Sequence, residues 1–214
     1  MSIIDKTISF VKQKLEYAEG GHDWFHIERV YKNALLIAKE EVCDITVVQL
    51  GALLHDIADS KFHGGDETIG PKTARAFLES ENVSQEIITH VINIIENISF
   101  KGGNFGQQFN SKELEIVQDA DRLDAIGAIG IARTFNYGGF KNRPLYNPEI
   151  APNLKMCKEE YKNSEAPTLN HFYEKLLLLS DKMNTPTGKK IAEARHQYME
   201  NFLSQFYAEW EGEK

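Results

Sequence analysis

Apolar residues recur at three- and four-residue intervals along most of the chain, which is the periodicity of helices with one buried face. Paired glycines interrupt this pattern at two points, and Ser84 and Ser111 stand where helix N-caps are expected. The predicted helices cover residues 4–18, 26–37, 45–58, 69–78, 84–98, 111–132, 168–183 and 189–210. No stretch alternates as a β-strand, so the pattern predicts an all-α fold, a helical bundle in a single domain over residues 1–214.

One long segment lacks the helical pattern. Residues 136–167 contain a Gly-Gly pair and four prolines, and they precede two closing helices at about 168–210. Long irregular segments inside a compact domain frequently cover a binding site. We therefore expect this segment to be a lid over a substrate rather than a linker between domains.

Composition narrows the classes of protein that fit. The 214 residues are 42% hydrophobic, and 32 Asp and Glu against 24 Lys and Arg give a net charge of -8, which disfavours binding to long nucleic acids. No apolar run approaches the ~18 residues of a membrane span. The N-terminus lacks a signal sequence, so a cytoplasmic protein without a membrane partner is predicted. Cys43 and Cys157 have no metal-ligand spacing and indicate a reducing compartment.

The segment 45–58 is apolar nearly all round, as in a central buried helix, yet His55 and Asp56 interrupt it. A carboxylate buried without a partner costs several kcal/mol or is forced to bind a proton. A metal ion would remove that cost.

Two further polar residues lie on apolar helix faces. His26 shares its face with His22 and Val30, and Asp121 lies on the apolar stripe of residues 114–131. Taken alone, His26 fits a satisfied core histidine, and Asp121 fits an ion pair with Arg122. Together with the His55–Asp56 pair they would give two nitrogens and two oxygens around one divalent cation, with positions left for water.

This set of residues resembles the H…HD…D signature of the HD-domain metal-dependent phosphohydrolases. The surrounding strings sharpen the resemblance to a bacterial subfamily of small, single-domain HD hydrolases, some of which cleave nucleoside triphosphates to a monophosphate and pyrophosphate. These strings are HDWFHIERV at 22–30, LLHDIADSKFHGGDE at 53–67, DADRLDAIGAIGIARTF at 119–135 and the closing segment at 171–196.

The resemblance implies that four residues hold one divalent metal ion. These ligands are His26, His55, Asp56 and Asp121. Imidazole and carboxylate without thiolate favour Mn²⁺, with Mg²⁺, Co²⁺, Fe²⁺ and Ni²⁺ as alternatives. Asp59 is the candidate catalytic proton handler, because a continuing helix would place it beside His55 and Asp56.

The implied activity is hydrolysis of (deoxy)nucleoside triphosphates to monophosphate and pyrophosphate by attack of a metal-bound water. The implied partner is a small phosphorylated substrate, a nucleotide. A homodimer is a further open alternative. The candidate substrate-binding residues are His22, Lys61, His63, Lys101, Arg122, Tyr137, Lys182 and Arg195.

Several alternatives stay open. A nucleotide phosphomonoesterase or an alarmone hydrolase would use the same ligands, and a non-catalytic metal-containing protein that senses nucleotides is the alternative from another class. A di-iron oxygenase needs additional metal ligands. Between the HD pair and Asp121 the sequence has only two histidines, His63 and His90. The sequence therefore disfavours the oxygenase.

Overall fold

The structure is a computed structural model that describes residues 1–16, 23–58, 66, 68–98, 109–156 and 164–214. The described residues contain helices and no β-strand, which confirms the all-α prediction. The α-helices are α1 (Ile3–Lys14), α2 (Trp24–Ala38), α3 (Ile45–Leu54), α4 (Ile69–Ser80), α5 (Gln85–Asn97), α6 (Lys112–Asp124), α7 (Gly127–Phe140), α8 (Asn170–Glu174) and α9 (Pro186–Trp210). Within these ranges no helix combines the length and hydropathy that crossing a bilayer requires.

The chain divides into two compact units, Met1–Asp121 and Arg122–Lys214. Within the first unit, α3 packs against α1, α2 and α5. Every residue from Val47 to Leu54 except Gln49 is buried, as its all-round apolar sequence predicts. Gly51 allows the close approach of α5, since a Cβ there would lie 3.2 Å from Ile94 Cδ1. The helix that ends in the HD pair is thus the core of this unit.

Polar side chains cap the N-termini of several helices in the first unit. The Asp44 carboxylate accepts hydrogen bonds from the backbone N–H groups of Thr46 at 2.9 Å and Val47 at 3.2 Å. The Ser84 hydroxyl accepts from Ile87 N–H at 3.4 Å, and the Ser111 hydroxyl accepts from Leu114 N–H at 3.1 Å. The two serine caps agree with the sequence prediction.

The prediction of a helix through residue 58 is wrong at its C-terminal end. α3 ends at Leu54, and residues 55–58 form a turn in which Ile57 N–H donates to Leu54 O at 3.4 Å. The His55 ring bonds back to the Ala52 carbonyl at this point. Helical spacing therefore no longer supports the placement of Asp59 beside His55 and Asp56.

The single helix predicted over 111–132 is divided into α6 and α7. Ile126 is extended, with φ -124° and ψ 168°, and Gly127 has φ +73°, a conformation that few residues other than glycine adopt. α7 then continues to Phe140, so residues 136–140, which the sequence assigns to the irregular segment, are helical. Gly138 of α7 packs so closely on Thr168 that a Cβ would lie 2.1 Å from the threonine hydroxyl, which is why glycine occupies this position.

The second unit is built on α7 and α9, which pack against each other. The rings of Phe135, Phe172 and Phe202 form its aromatic core, with centroids 5.8–6.0 Å apart. The helix predicted over 168–183 is instead the short α8 and two 3-10 turns, Leu176–Leu178 and Ser180–Lys182, because Lys175 leaves the helical region at φ -144° and ψ -55°.

The last helix, α9, begins at Pro186, three residues before its predicted start. Thr185 caps it by accepting from Gly188 N–H at 2.9 Å, and proline at the first helical position lacks an N–H that would need a partner. The lid role of the irregular segment and the single-domain organisation stay predictions. Cys157 lies outside the described residues.

Candidate metal centre

His26 lies in the first turn of α2, and its position is fixed by a cap. The Asp23 carboxylate accepts a hydrogen bond from His26 N–H at 2.9 Å. The His26 side chain is 3% exposed, so the imidazole points into the first unit rather than to solvent.

His55 follows the last residue of α3, and its side chain is 4% exposed. Its Nδ1 lies 2.9 Å from the Ala52 carbonyl oxygen. Because a carbonyl oxygen only accepts, Nδ1 carries the proton, and in the neutral ring Nε2 is left with its lone pair. His55 Nε2 is buried without a hydrogen-bond partner among the described residues. This orientation is the one that metal-ligating histidines adopt when a carbonyl holds their other nitrogen.

The turn after α3 brings Asp56 to the same place. One ligand atom each from His26, His55 and Asp56 lie within 4.8 Å of one another, a group that could hold a metal ion. The rings of His26 and His55 meet edge to face with centroids 5.4 Å apart.

Asp121 comes from the last turn of α6 and faces both imidazoles. Its Oδ1 lies 3.6 Å from His26 Nε2 and 3.9 Å from His55 Nε2. Both separations exceed hydrogen-bond length. Two ligands of one ion with bonds of 2.0–2.2 Å lie at most ~4.4 Å apart. This spacing fits a divalent ion shared by these residues, and so does the Nε2 of His55, which has no hydrogen-bond partner in the described part of the chain.

A second cluster, the His90 cluster of His90, Ser111 and Glu113, lies where α5 meets the start of α6. His90 Nε2 is 2.9 Å from Ser111 Oγ and 3.3 Å from Glu113 Oε2, and Glu113 Oε1 accepts from Asp44 N–H at 2.8 Å. Serine and carboxylate meet the same ring nitrogen, so the cluster lacks the relay through both nitrogens of a nucleophilic triad. Its contacts link α5 to the start of α6 and to the N-cap of α3.

Cys43 lies beside the His90 cluster and is not in a disulfide. Burial raises the pKa of its thiol, and the charges of Glu113, Asp44 and Glu41 raise it further. A raised pKa keeps the thiol in its neutral form, which disfavours a role as a nucleophile.

The substrate-binding candidates of the second unit have contacts of their own. Arg122 donates to the carbonyl of Lys182 at 2.7 Å, and Arg195 donates to the carbonyl of Leu123. Tyr137 is 51% exposed near the end of α7. The cations of Lys141 and Arg143 lie 5.8 Å and 5.6 Å from its ring centroid. Their roles in substrate binding stay predictions.

Several predicted site residues lie outside the described residues. These are His22, Asp59, Lys61, His63 and Lys101. Their assignments stay sequence predictions.

Two groups at the site are not predicted from the sequence. The Ala52 carbonyl orients His55, and the Asn33 side-chain amide donates to the Ala120 carbonyl at 3.3 Å, which ties α2 to the turn of α6 before Asp121. A backbone carbonyl carries no residue-specific signal. Asn33 lies seven residues after His26, on the same face of α2, and that spacing is the one available clue.

The cavity of about 370 Å³ in the second unit offers a different chemistry. It is lined by three tyrosines, two asparagines and apolar residues, with no charged side chain. It has neither metal ligands nor cations for phosphate. The histidine and carboxylate group in the first unit is thus the candidate site for hydrolysis.

An all-α fold whose helix ends present histidines and carboxylates to one point defines a metal-centred class of protein. The family model of the HD domain matches residues 24–126. A crystal structure of an HD-superfamily hydrolase from Bacillus thuringiensis is 46% identical, with a TM-score of 0.78, and the match covers 97% of this chain and 96% of that one.

The Bacillus subtilis protein YpgQ is 36% identical over 200 residues, which are 92% of this chain and 88% of YpgQ. The crystal structure of YpgQ in complex with ADP matches with a TM-score of 0.75 and covers 96% of this chain and 97% of that one. The chain belongs to the HD superfamily of hydrolases, as its motifs predict. HD domains bind divalent metal ions, and the His-His-Asp group of this chain could hold one.

Proposed function

We propose that the protein is a metal-dependent phosphohydrolase that cleaves (deoxy)nucleoside triphosphates to the monophosphate and pyrophosphate. One observation carries the metal dependence. The buried Nε2 of His55 has no hydrogen-bond partner among the described residues, while its Nδ1 is held by the Ala52 carbonyl. A buried polar atom without a partner is costly, and a bound cation removes that cost. The ligands we assign are His26, His55, Asp56 and Asp121.

The exposure of these residues favours turnover over a structural ion. The imidazoles of His26 and His55 are 3% and 4% exposed, whereas the Asp121 side chain is 41% exposed. The site is therefore closed on the histidine side and open on the carboxylate side. Catalytic metal sites keep such an open side for water and substrate, whereas structural sites are closed by protein ligands.

A divalent ion at this site supplies Lewis acidity, which lowers the pKa of water and offsets the negative charge of a phosphate oxygen. His26 and His55 contribute neutral nitrogens, and Asp56 and Asp121 contribute oxygens that balance the charge of the ion. Hard oxygen and imidazole ligands without thiolate favour Mn²⁺ in this proposal. Asp59, the acid that follows the HD pair by three residues, takes the proton of the attacking water.

The choice of a nucleotide substrate rests on relatives and on charge. YpgQ has a structure in complex with ADP and is similar to this chain over nearly its whole length. The net charge of -8 is compatible with a phosphate substrate, because a cation at the site makes the local field positive. The remaining polyphosphate needs cationic side chains, for which the sequence offers Lys61, Lys101 and Lys182 among its predicted site residues.

The direct experiment offers the purified protein with Mn²⁺ nucleoside tri-, di- and monophosphates and separates the phosphate products. We expect pyrophosphate and monophosphate from the triphosphates. Release of orthophosphate only would exclude the pyrophosphohydrolase and favour a phosphomonoesterase.

Two variants separate the roles within the site. Asp121→Ala should lose both bound Mn²⁺ and turnover, because it removes a ligand. Asp59→Asn should keep Mn²⁺ but turn over at least ~10²-fold more slowly, the typical contribution of general acid–base catalysis. An unchanged rate in Asp59→Asn would make Asp59 a surface acid.

A further inference from the structure

Asp121 occupies a weak point of its helix. It is the first of the last four residues of α6, which ends at Asp124. The final carbonyls of a helix have no helical partners, and last turns fray. A ligand placed there keeps its position only if the surrounding structure holds the turn.

Two arginines hold this turn. Arg195 of α9 donates from Nη1 to the carbonyl of Leu123, and Arg133 of α7 donates to the carbonyl of Asp124 at 3.3 Å and to its carboxylate. Ala125 N–H and Ile126 N–H close the remaining turns onto Arg122 O at 3.1 Å and Leu123 O at 3.4 Å. Cations at a helix C-terminus also complement the helix dipole.

The sequence builds a place for the Arg195 side chain. Its alkyl stem crosses Gly127, where a Cβ would lie 3.0 Å from Cγ and 3.1 Å from Cβ of Arg195. Gly127 also has φ +73°, so glycine is required both for the backbone and for the space. The stem thus lies over the first residue of α7, directly after the break that follows α6.

Arg195 and Arg133 both lie near one carboxylate, that of Asp124. Burial lowers the pKa of the Arg195 guanidinium, and the carboxylate of Asp124, which is 1% exposed, partly opposes that shift. Arginine stays charged throughout the accessible pH range. The hydrogen bond to Leu123 O is therefore charge-assisted, and such bonds are stronger than those between neutral groups.

We propose that Arg195 is a positioning residue for the metal centre, which orders the last turn of α6 and thereby holds the Asp121 carboxylate in place. This inference rests on the proposed function, since it requires that Asp121 binds the ion. It differs from the role in substrate binding that the sequence predicts for Arg195, because it acts on the metal rather than on the nucleotide.

The test compares two variants by Mn²⁺ titration of the metal-free protein. Arg195→Met keeps the stem over Gly127 but removes the donors, and it should weaken Mn²⁺ binding ~10–100-fold, as loss of an outer partner does at other metal sites. Arg195→Lys keeps a cation and a donor, so its affinity should lie between those of Arg195→Met and the wild type. The control is Lys190→Met, which removes an exposed cation of the same helix and should bind like the wild type.

Hydrogen exchange gives the structural readout on the same proteins. The amides of residues 122–126 should exchange faster in Arg195→Met, while KM for the nucleotide at saturating Mn²⁺ stays unchanged. A raised KM with unchanged Mn²⁺ affinity would overturn the inference and make Arg195 a substrate ligand. If Arg195→Met fails to fold, wild-type Mn²⁺ affinity and exchange in Arg195→Lys would overturn it equally.

Asp121→Asn separates this inference from the proposed function. If that variant binds Mn²⁺ as tightly as the wild type, the proposed metal centre is wrong and the inference fails with it. If Asp121→Asn loses Mn²⁺ while Arg195→Met retains it, only the positioning role is wrong.

Discussion

Two clusters of histidine and carboxylate lie in the first unit, and they differ in how their polar atoms are satisfied. In the His90 cluster, Nε2 of His90 lies 2.9 Å from Ser111 Oγ and 3.3 Å from Glu113 Oε2. In the candidate metal centre, Asp121 Oδ1 lies 3.6 Å from His26 Nε2 and 3.9 Å from His55 Nε2, and His55 Nε2 has no hydrogen-bond partner among the described residues.

The two clusters differ in how far apart their histidine and carboxylate atoms lie, not in the types of residue that form them. The atoms of the His90 cluster satisfy one another at hydrogen-bond length. The ligand atoms of the metal centre stand apart by the distance that one shared cation would bridge. Paired substitutions in the two clusters should therefore have opposite effects on metal binding and on stability.

The largest effect is expected on the rate. Asp121→Asn removes a charged ligand, and a metal ion contributes several kcal/mol to hydrolysis, so turnover of nucleoside triphosphate should fall by ~10³-fold or more. Glu113→Gln makes the matched change in the His90 cluster and should stay within threefold of the wild type. The measurement is kcat/KM at saturating Mn²⁺, and equal losses in both variants would remove the distinction between the clusters.

The next largest effect is expected on the increase in Tm that Mn²⁺ binding produces. Mn²⁺ at 100 times its Kd stabilises the folded state by ~2.7 kcal/mol, which raises Tm by roughly 5–10 °C for a chain of this length. His55→Ala should lose this shift, and His90→Ala should keep it. Differential scanning calorimetry with Mn²⁺ and with EDTA measures both. A full shift in His55→Ala would show that the ion binds elsewhere.

A smaller effect is expected on the stability of the metal-free protein. His90→Ala breaks the links from α5 to Ser111 and Glu113, so the free energy of unfolding in urea should fall by about 1–2 kcal/mol. Because the metal centre keeps its residues, Mn²⁺ affinity should be unchanged. Weakened Mn²⁺ binding in this variant would mean that the His90 cluster also supports the metal centre.

The smallest effect is expected at the cap of α2. Asp23→Ala removes the acceptor for His26 N–H and should cost about 1 kcal/mol of stability. Since buried neighbours still hold the His26 ring, we expect Mn²⁺ affinity to fall less than tenfold by isothermal titration. A loss of Mn²⁺ affinity beyond ~100-fold would show that Asp23 supports the metal ligands from the outer shell.

Much of the fold follows from local patterns that act independently of tertiary structure. The apolar run of α3 predicts its burial, and Ser84 and Ser111 mark two helix starts, because caps depend on a few neighbouring residues. The break between α6 and α7 could not be predicted in this way. A glycine costs only ~1 kcal/mol inside a helix, so Gly127 alone does not show that the chain turns there.

The candidate metal ligands follow from residue types and resemblance, and the structure places His26, His55, Asp56 and Asp121 near one another. The orientation of His55 depends on a backbone carbonyl, which every residue offers and no sequence marks. The same reason hides the contact between Arg195 and Leu123 O. The sequence does not distinguish a helical arginine or lysine that binds phosphate from one that donates to a backbone carbonyl.

The most direct test of the proposed metal centre is a crystal structure of the protein with Mn²⁺, with anomalous scattering recorded at the manganese edge. We expect a peak bonded to Nε2 of His26, Nε2 of His55 and carboxylate oxygens of Asp56 and Asp121, at about 2.0–2.3 Å. A peak at His90 and Glu113 instead, or no peak at the predicted ligands at saturating Mn²⁺, would contradict it.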